Sequence, residues 1–379
     1  MPLPSDTSWI EVSKSALAHN VQVIQSLIGY KTLLAPSVKA NAYGHGLVGT
    51  ARELVHAGAD WLCVALIDEA LSLRKSGIRI PLLIVGFVPM ARLRDVLKTR
   101  ASVFVYEPQT ARTLSRLAMA ARTKVNVHIK VDTGMGRQGL PPQELYKFIQ
   151  FLQNLKGLRL EGIATHFASS DTPEHPQHFR KQLSTFAKLV REIKKDQAGL
   201  PLIHCANSAA TLLEQQSHFD MVRSGLAVYG YYPGETVKTI CLKRGIQLQP
   251  TLTFKTRVAA VKELPKGACV SYGCTFITKR ATKVAVLPVG YYDGIDRGLS
   301  NLGSVLIRSH RAPILGRVCM NITVVDITHI SRVRQEDEVV IIGQQGRERI
   351  AVEDTAAQIG TINYEVTTRL RETLPRYYV

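Results

Sequence analysis

Up to about residue 235 the chain alternates short apolar, β-branched runs with longer amphipathic stretches. Eight runs have the character of strands: TLLAPSV (32–38), WLCVAL (61–66), PLLIVGF (81–87), SVFVY (102–106), VNVHIKV (125–131), LRLEGIAT (158–165), LIHCA (202–206) and DMVRSGLAVYG (220–230). Helix-like segments lie between them, at 49–56, 68–76, 91–98, 108–120, 141–154 and 179–195. This alternation indicates a parallel sheet with right-handed crossovers, and eight strands favour a closed (β/α)8 barrel of the TIM type. An open, doubly wound sheet is the alternative, but no strand is followed by a GxGxxG loop.

After about residue 240 the pattern changes to short strands separated by Gly, Pro and polar turns. The runs are TLTFKTRVAAV, KVAVLPV, SVLIRS, APILG, ITVVDI and EVVIIG. Such a series is typical of an all-β domain. The sequence therefore predicts an α/β fold class, with a barrel over residues 10–238 and a mostly-β domain over 239–379 that also takes up residues 1–9.

The chain is strongly basic, with 48 Lys and Arg against 30 Asp and Glu in 379 residues, a net charge of +18. A basic surface can bind nucleic-acid phosphates. The positive residues are dispersed here, however, and the densest cluster, KLVREIKK (188–195), alternates with apolar residues as a solvated helix face does. We therefore expect no nucleic-acid partner.

Neither the amino terminus nor the apolar runs indicate export or a membrane. The segment MPLPSDTSWIEV lacks the basic and apolar regions of a signal peptide, and no run approaches the ~20 residues of a membrane span. The six cysteines form no CxxC pair, and most lie in apolar stretches, where cysteine packs as a small hydrophobe. The sequence predicts a cytoplasmic protein without a membrane partner, a disulfide framework or a metal site.

Candidate catalytic and ligand-binding residues follow at least five of the predicted strands. They are Lys39 after the first strand, Arg137 in DTGMGRQG after the fifth, His166 after the sixth, Asn207 and Ser208 after the seventh, and Arg223, Gly225 and Leu226 in the eighth region. In a (β/α)8 barrel these ends form one rim, where active sites lie. Taken singly, His166 could be a hydrogen-bonded core histidine and Asn207 a helix N-cap. One shared site explains all of the positions together.

A lysine and a phosphate cradle on one rim suggest pyridoxal phosphate as the cofactor. The last two loops of such barrels frequently bind phosphate, and here they hold Ser208, Ser224 and Gly225, which let backbone N–H groups approach an anion. Lys39 is then the residue that holds the cofactor as a Schiff base. A sugar-phosphate aldolase also has such a lysine in a barrel, usually on a late strand, whereas Lys39 follows the first.

With these residues in view, the chain resembles the alanine racemase family of barrel-type (fold type III) pyridoxal-phosphate enzymes. The matching motifs occur in family order: SVKANAYGHG, KVDTGMGRQG, THFASSD, SYGCTF, PVGYYDG, GRVCMN and NYEVTTRL. They extend from about Thr7 to Tyr377. The resemblance implies an isomerase that interconverts L- and D-alanine by a two-base mechanism and supplies D-alanine for peptidoglycan in the cell wall.

The resemblance also implies two catalytic residues and a shared active site. Lys39 moves the Cα proton on one face of the substrate, and Tyr272, in SYG, is the base on the opposite face. Because Tyr272 comes from the partner subunit in the family, a homodimer is implied, in which the β domain contributes to the partner's site.

The remaining site residues follow from the same resemblance. It implies Arg223 against the pyridine nitrogen, supported by His166, with Asn207 near the cofactor. The phosphate is held by Tyr43, Ser208, Gly225, Leu226 and Tyr364. The substrate carboxylate is positioned by Arg137 and by the backbone of Met320 from the other subunit. Lys130 matches the family's carbamylated lysine, which orients Arg137.

Three positions depart from the family pattern. Asn321 stands where the family usually has aspartate, Ser224 replaces a frequent proline, and Tyr292 replaces a common alanine. Asn321 removes a negative charge and adds an amide donor beside the substrate pocket. Two interpretations stay open: acceptance of a polar substrate such as serine, or a tolerated change with alanine still preferred.

Two other functions are alternatives to the one that this resemblance implies. A related amino-acid decarboxylase should have an acidic residue near the pyridine nitrogen and a cysteine–aspartate motif in its second domain, whereas this chain has Arg223 and no such motif. A non-enzymatic, single-barrel pyridoxal-phosphate carrier should end near residue 235 and lack Tyr272.

Overall fold

The predicted strands of the first half form eight parallel strands in one sheet. The computed structural model describes residues 6–196 and 201–379. The strands up to residue 222 are β1 (Ser8–Val12), β2 (Leu33–Leu34), β3 (Leu62–Val64), β4 (Leu82–Ile84), β5 (Ser102–Val105), β6 (Val125–Lys130), β7 (Leu158–Ala164), β8 (Leu202–His204) and β9 (Met221–Val222). The parallel sheet has the order β2-β9-β8-β7-β6-β5-β4-β3. Beyond β2, Ser37 bridges in parallel to Cys63 of β3, so the sheet closes on itself. This confirms the predicted barrel.

Helices follow the strands and cover the sheet with their apolar faces. They are α1 (Lys14–Ile28), α2 (Lys39–Tyr43), α3 (Leu47–His56), α4 (Ile67–Lys75), α5 (Leu93–Thr99), α6 (Pro108–Ala120), α7 (Leu145–Gln153), α8 (Gln177–Asp196), α9 (Ser208–Leu213) and α10 (Glu235–Lys243). In α6, Ala111, Leu114 and Ala118 are buried at the three- and four-residue spacing of one helix face. Helices α1, α2, α9 and α10 are not among those predicted from the sequence.

The second half confirms the mostly-β prediction. Its elements are β10 (Leu252–Arg257), β11 (Ala260–Leu264), β12 (Cys269–Val270), β13 (Phe276–Ile277), β14 (Thr282–Leu287), β15 (Ser304–Ile307), β16 (His310–Pro313), β17 (Thr323–Asp326), β18 (Glu338–Gln345), β19 (Glu348–Ile350), α11 (Val352–Ile359), α12 (Asn363–Thr368) and β20 (Arg376–Tyr378). The largest sheet of this half has the strand order β16-β15-β18-β10-β1-β20, with β19 paired to β18. The amino-terminal strand β1 therefore pairs with β10 and β20 of the second half.

The chain divides into two units, each with its own buried residues. The barrel unit contains Ser15–Ala42 and Leu47–Pro250, and the β unit contains Met1–Lys14, Tyr43–Gly46 and Thr251–Val379. In the part of the chain that is described, no helix has the length and apolar character that crossing a membrane requires.

Gly44, in the motif SVKANAYGHG, allows two segments of the β unit to touch. Its φ is +86°, and a Cβ added there lies 2.0 Å from the carbonyl oxygen of Thr367 in α12. A side chain therefore meets both an unfavourable backbone conformation and a backbone atom that cannot swing away. This explains why a glycine follows so soon after Lys39.

Gly44→Ala is expected to lower the free energy of unfolding by about 3 kcal/mol, since steric overlap adds to the cost of a positive φ. Thermal and denaturant unfolding measure the change. Gly360→Ala is the matched control, because Gly360 has a φ of +70° in the same unit but nothing within 4 Å of an added Cβ. The control should lose only about 1 kcal/mol. Equal losses in the two variants contradict the steric argument.

Candidate active site

The backbone just after Lys39 forms an unusual left-handed turn. Within α2, Ala40, Asn41 and Ala42 have φ values of 53°, 52° and 53°. Each non-glycine residue in this conformation costs roughly 1–2 kcal/mol, so such a turn persists only when its surroundings hold it. In the barrel unit, Asn41 Oδ1 accepts a hydrogen bond from the Leu47 backbone N–H at 2.8 Å.

Glu69 holds the other side of this turn. One carboxylate oxygen accepts a 2.7 Å hydrogen bond from the Ala40 N–H, and the other accepts bonds of 2.7 and 3.0 Å from the N–H groups of Ala65 and Leu66. Glu69 thus ties the Lys39 turn to the loop after β3. Glu69 is not among the site residues predicted from the sequence, although an acidic residue in the first turn of a helix that follows a barrel strand is a weak sequence signal.

The surroundings of Lys39 favour its neutral amine. Burial lowers the pKa of Lys39, and the positive charges of Arg137 and Arg223 lower it further, against the opposing effects of Cys63 and Glu69. A lysine with a lowered pKa has a larger neutral fraction at neutral pH, which is the form that acts as a nucleophile or base.

Arg223 is buried at the end of β9, where several acceptors fix its guanidinium. Nη2 donates to the carbonyl oxygen of Thr165 at 2.8 Å and lies 3.4 Å from His166 Nδ1. Nη1 lies 2.5 Å from His204 Nδ1. Burial lowers the pKa of His166 well below its usual value, with further lowering by Lys130 and Arg223. His166 is therefore neutral and can accept from Arg223.

Ser208 marks an anion cradle built from small residues and backbone N–H groups. Its hydroxyl oxygen accepts hydrogen bonds from the backbone N–H of Gly225 at 2.9 Å and of Ala227 at 3.2 Å. Ser224 Oγ lies 3.4 Å from Ser208 Oγ. Two N–H groups thus donate to one hydroxyl oxygen, and a phosphate oxygen placed beside Ser208 could accept from the same donors.

The eighth predicted strand is shorter than the sequence indicated. The run at 220–230 forms a strand only over Met221–Val222, and Leu226–Tyr229 is a 3₁₀ turn. Gly225 and Leu226 therefore belong to the loop after the strand. Asn207 serves as the N-cap of α9, since its side chain accepts a 3.1 Å hydrogen bond from the Ala210 N–H. The capping interpretation of Asn207 is thus confirmed, and it orients the helix that carries Ser208.

Lys130 and Arg137 lie at the end of β6 and in the following loop. Lys130 is buried, with Nζ 5.3 Å from the centre of the Phe104 ring. Burial lowers the pKa of Lys130 well below its usual value, and Arg223 and Arg137 lower it further. Asp132 shapes the loop, because its carboxylate accepts hydrogen bonds from backbone N–H groups that include that of Arg137 at 3.1 Å.

The predicted site residues of the β unit lie on exposed turns. Tyr272 begins a 3₁₀ turn between β12 and β13, and 74% of its surface is exposed. Ser271 Oγ donates to the Arg317 carbonyl oxygen at 2.6 Å, which anchors this turn to the segment before Met320. Met320 is 55% exposed, and Asn321 beside it is exposed.

The Tyr272 turn also contains a disulfide that the sequence analysis did not expect. Cys269 and Cys274 are bonded, and their Cα atoms lie 5.0 Å apart. The prediction rested on the absence of a CxxC pair, but the β12–β13 hairpin brings cysteines five positions apart face to face. This single short loop is not a framework that supports the fold.

Tyr43 and Tyr364 lie together in the β unit. Their ring centroids are 6.2 Å apart, with the rings tilted by 44°. Tyr43 ends the left-handed turn with a φ of 52°. The structure thus groups these two tyrosines in the β unit, and groups the lysines, arginines, His166 and the Ser208 cradle at the carboxyl ends of the barrel strands.

This arrangement agrees with the comparisons with known proteins. The family model of the alanine racemase N-terminal domain matches residues 12–233, and that of the C-terminal domain matches residues 251–378. Alanine racemase 2 of Caldanaerobacter subterraneus subsp. tengcongensis is 38% identical, over 98% of this chain and 94% of the relative. Alanine racemase of Halothermothrix orenii is 39% identical, over 98% of this chain and 96% of the relative.

A solved structure extends the similarity to three dimensions. The crystal structure of alanine racemase from D-cycloserine-producing Streptomyces lavendulae has a TM-score of 0.92 and 34% identity, and the match covers 100% of this chain and 98% of that one. Sequence and fold agree over both halves of the chain. This protein therefore belongs to the alanine racemase family.

Proposed function

We propose that this protein is a pyridoxal-phosphate-dependent racemase that interconverts L- and D-alanine. The observation that carries the proposal is the set of groups at one end of the barrel: a lysine with a lowered pKa, a buried arginine and an anion cradle. Membership of the alanine racemase family supports the same activity. We further propose that the enzyme acts in the cytoplasm and supplies D-alanine for peptidoglycan.

The residues of the barrel unit fit pyridoxal phosphate. The cradle of Ser208, Gly225 and Ala227 would offer the Ser208 hydroxyl to the phosphate, together with two backbone N–H groups that here donate to that hydroxyl. Lys39 would hold the cofactor covalently, and Arg223 would lie against its ring nitrogen. When bound, the cofactor withdraws electrons from the substrate Cα and so weakens its C–H bond. Because a guanidinium donates hydrogen bonds and does not give up its proton, Arg223 would leave the ring nitrogen of a bound cofactor unprotonated.

Racemisation requires proton transfer on both faces of the substrate Cα. We propose that Lys39 Nζ takes or gives the proton on one face and Tyr272 Oη on the other. Lys39 belongs to the barrel unit, whereas Tyr272 is carried on an exposed turn of the β unit. The exposure of Tyr272 and Met320 supports a two-fold dimer in which both residues reach the partner's barrel.

Substrate binding is proposed to depend on Arg137 and the Met320 backbone, which would bind the substrate carboxylate. We propose that Lys130 carries a carbamate, since the lowered pKa of Lys130 favours the neutral amine that reacts with carbon dioxide. The carbamate would then orient the Arg137 guanidinium by charge-assisted hydrogen bonds. Membership of the family supports Tyr43 and Tyr364 as further residues that bind the cofactor phosphate.

The direct test is to incubate the purified protein and pyridoxal phosphate with L-alanine and to follow D-alanine by chiral chromatography. D-Alanine should accumulate until the two enantiomers are equal. Release of carbon dioxide without D-alanine would instead indicate the decarboxylase alternative, and binding of the cofactor without either product would indicate a carrier.

Ser208→Ala is expected to weaken pyridoxal phosphate binding about tenfold, the effect of losing roughly one hydrogen bond to a charged group. The Gly225 and Ala227 N–H groups also lose the oxygen that they contact in this structure. Equilibrium dialysis of the cofactor measures the change. Ser184→Ala, on the exposed face of α8, is the control and should bind normally. Unchanged affinity in Ser208→Ala argues against this phosphate site.

A serine racemase activity is the second candidate, because an amide replaces the family's usual carboxylate at Asn321, which is exposed beside Met320. If Asn321 admits a polar side chain, Asn321→Asp should lower the ratio of kcat/KM for serine to that for alanine. A change of about threefold to tenfold corresponds to one weak polar contact. An unchanged ratio leaves alanine as the substrate and the asparagine as a tolerated replacement.

A further inference from the structure

A row of four polar side chains crosses the interior of the barrel unit. It starts at Glu161 in β7, whose Oε2 lies 3.1 Å from His128 Nε2. His128 Nδ1 lies 2.7 Å from His204 Nε2. His204 Nδ1 lies 2.5 Å from Nη1 of Arg223. The row therefore connects Arg223, which is proposed to contact the cofactor ring, with a carboxylate that is not among the proposed site residues.

The two ends of this row determine the direction of every hydrogen bond in it. A guanidinium can only donate, so His204 Nδ1 must accept from Arg223 and its hydrogen must be on Nε2. His204 Nε2–H then donates to His128 Nδ1, which leaves the hydrogen of His128 on Nε2. That N–H donates to the Glu161 carboxylate, which can only accept. Both histidines are thus neutral and share one tautomer.

The surroundings of the two imidazoles agree with this assignment. His128 and His204 have no exposed surface. The Phe104 ring stacks on His204, with ring centroids 6.1 Å apart. The Trp61 and His128 rings meet edge to face, with centroids 5.8 Å apart. Burial lowers the pKa of His204 well below its usual value. Burial also lowers the pKa of His128, against the opposing hydrogen bond and charge of Glu161.

Glu161 lies toward the amino-terminal ends of the neighbouring strands, away from the proposed cofactor site. It accepts hydrogen bonds from Ser102, the first residue of β5, and from Asn126 Nδ2 in β6 at 2.6 Å. Its side chain is 14% exposed, and it lines a cavity open to solvent at this end. Burial acts to raise the pKa of Glu161, but the hydrogen bonds from His128 and Ser102 outweigh it and keep the pKa low.

Arg223 needs such a counter-charge. It is buried, and among the described residues no carboxylate lies within ion-pair distance of its guanidinium. A buried cation without a compensating anion is costly. The hydrogen bonds polarise the two neutral imidazoles, and their dipoles extend the stabilising effect of the Glu161 carboxylate to Arg223. The carboxylate itself stays partly in contact with water.

We propose that Glu161 is a positioning residue for racemisation, which fixes the tautomers of His128 and His204 and thereby orients and balances Arg223. The inference rests on the proposed function, since the orientation of Arg223 matters for activity only if the cofactor ring lies against it. The tautomers themselves can be tested without any activity.

The first experiment is NMR of the holoenzyme with ¹⁵N-labelled histidine. His128→Gln and His204→Gln assign the signals. Both imidazoles should show a protected Nε2–H and an unprotonated Nδ1, unchanged from mildly acidic to mildly basic pH. In Glu161→Gln the amide oxygen still accepts, so the tautomers should persist while the His128 Nε2–H exchanges faster with solvent. An Nδ1–H on either ring, or protonation of either ring in this range, overturns the proposal.

The second experiment compares Glu161→Gln with Arg159→Gln in the holoenzyme. Arg159 contacts the same carboxylate at 3.2 Å but is 63% exposed and lies outside the row. Glu161→Gln should lower kcat for L-alanine about tenfold with KM changed less than about twofold, and should shift the absorbance of the bound cofactor. Arg159→Gln should resemble the wild type in both respects.

Three outcomes of this comparison overturn the proposal. One is that Glu161→Gln keeps normal kcat and absorbance. Another is that Arg159→Gln loses as much activity. A third is that Glu161→Gln lowers the unfolding temperature while kcat per folded molecule is unchanged, which indicates a purely structural role. If the wild type does not racemise alanine, the proposed function fails, and the NMR measurement still decides whether the tautomers are as assigned.

Discussion

Lys39→Ala should abolish racemisation and stable retention of pyridoxal phosphate together. The variant loses the amine that would hold the cofactor and one of the two proton-transfer groups, so kcat should fall by at least about 10⁴-fold. Chiral analysis of alanine measures activity with saturating cofactor. Gel filtration followed by absorbance measures how much cofactor stays bound.

The control for this variant is Lys124→Ala, which removes an exposed lysine from the same unit and should leave both measurements unchanged. Borohydride reduction provides an independent check, because it should fix the cofactor to the wild-type peptide that contains Lys39 and to no peptide of Lys39→Ala. If Lys39→Ala retains the cofactor through gel filtration and racemises alanine at more than a small fraction of the wild-type rate, the assignment of Lys39 is wrong.

Tyr272→Phe should separate the proton transfers on the two faces of the substrate Cα. Removing one hydroxyl from an exposed turn has little effect on folding, but it removes the proposed proton-transfer group on one face. Racemisation in both directions should therefore slow by about 10²- to 10⁴-fold, the usual contribution of a general acid or base. In deuterated water, one enantiomer should still exchange its Cα hydrogen without inversion, because Lys39 continues to act on the other face.

Tyr30→Phe is the matched control, since Tyr30 is 93% exposed and is not one of the proposed site residues. Mass spectrometry of the recovered, separated enantiomers measures the exchange. Loss of exchange in both enantiomers would place Tyr272 in substrate binding, and unchanged racemisation would remove it from the mechanism. Because the proposed site is shared, mixing Tyr272→Phe with Lys39→Ala should restore activity in heterodimers, which have one complete site.

Much of the fold could be predicted from the spacing of apolar residues. Every predicted barrel strand contains an observed strand, because a strand inside a closed parallel sheet is buried on both faces and reads as a continuous apolar run. The same signal was misleading at TLTFKTRVAAV, which contains β10 and the start of a second strand, β11. These strands pair in different sheets, and nothing in a continuous run of β-forming residues marks such a division.

The candidate site was predictable only in part. Lys39, Arg137 and Ser208 follow strand ends, and their motifs identify them without any coordinates. Glu69 has only the weak signal of an acidic residue in the first turn of a helix, and Glu161 has none, because most carboxylates are solvated. Only the structure shows that the first holds the turn after Lys39 and that the second ends the row leading to Arg223.

The sequence by itself determined the class of fold, the family and the residues that carry the proposed chemistry, since these depend on local periodicity and on short motifs. Tertiary structure alone decided which neighbours adjust those residues. His128 and His204 are 76 residues apart in the chain, yet their ring nitrogens lie 2.7 Å from each other. They lie on β6 and β8, which β7 separates in the sheet, so their side chains meet inside the barrel. The low dielectric constant of that interior then strengthens each hydrogen bond and charge interaction.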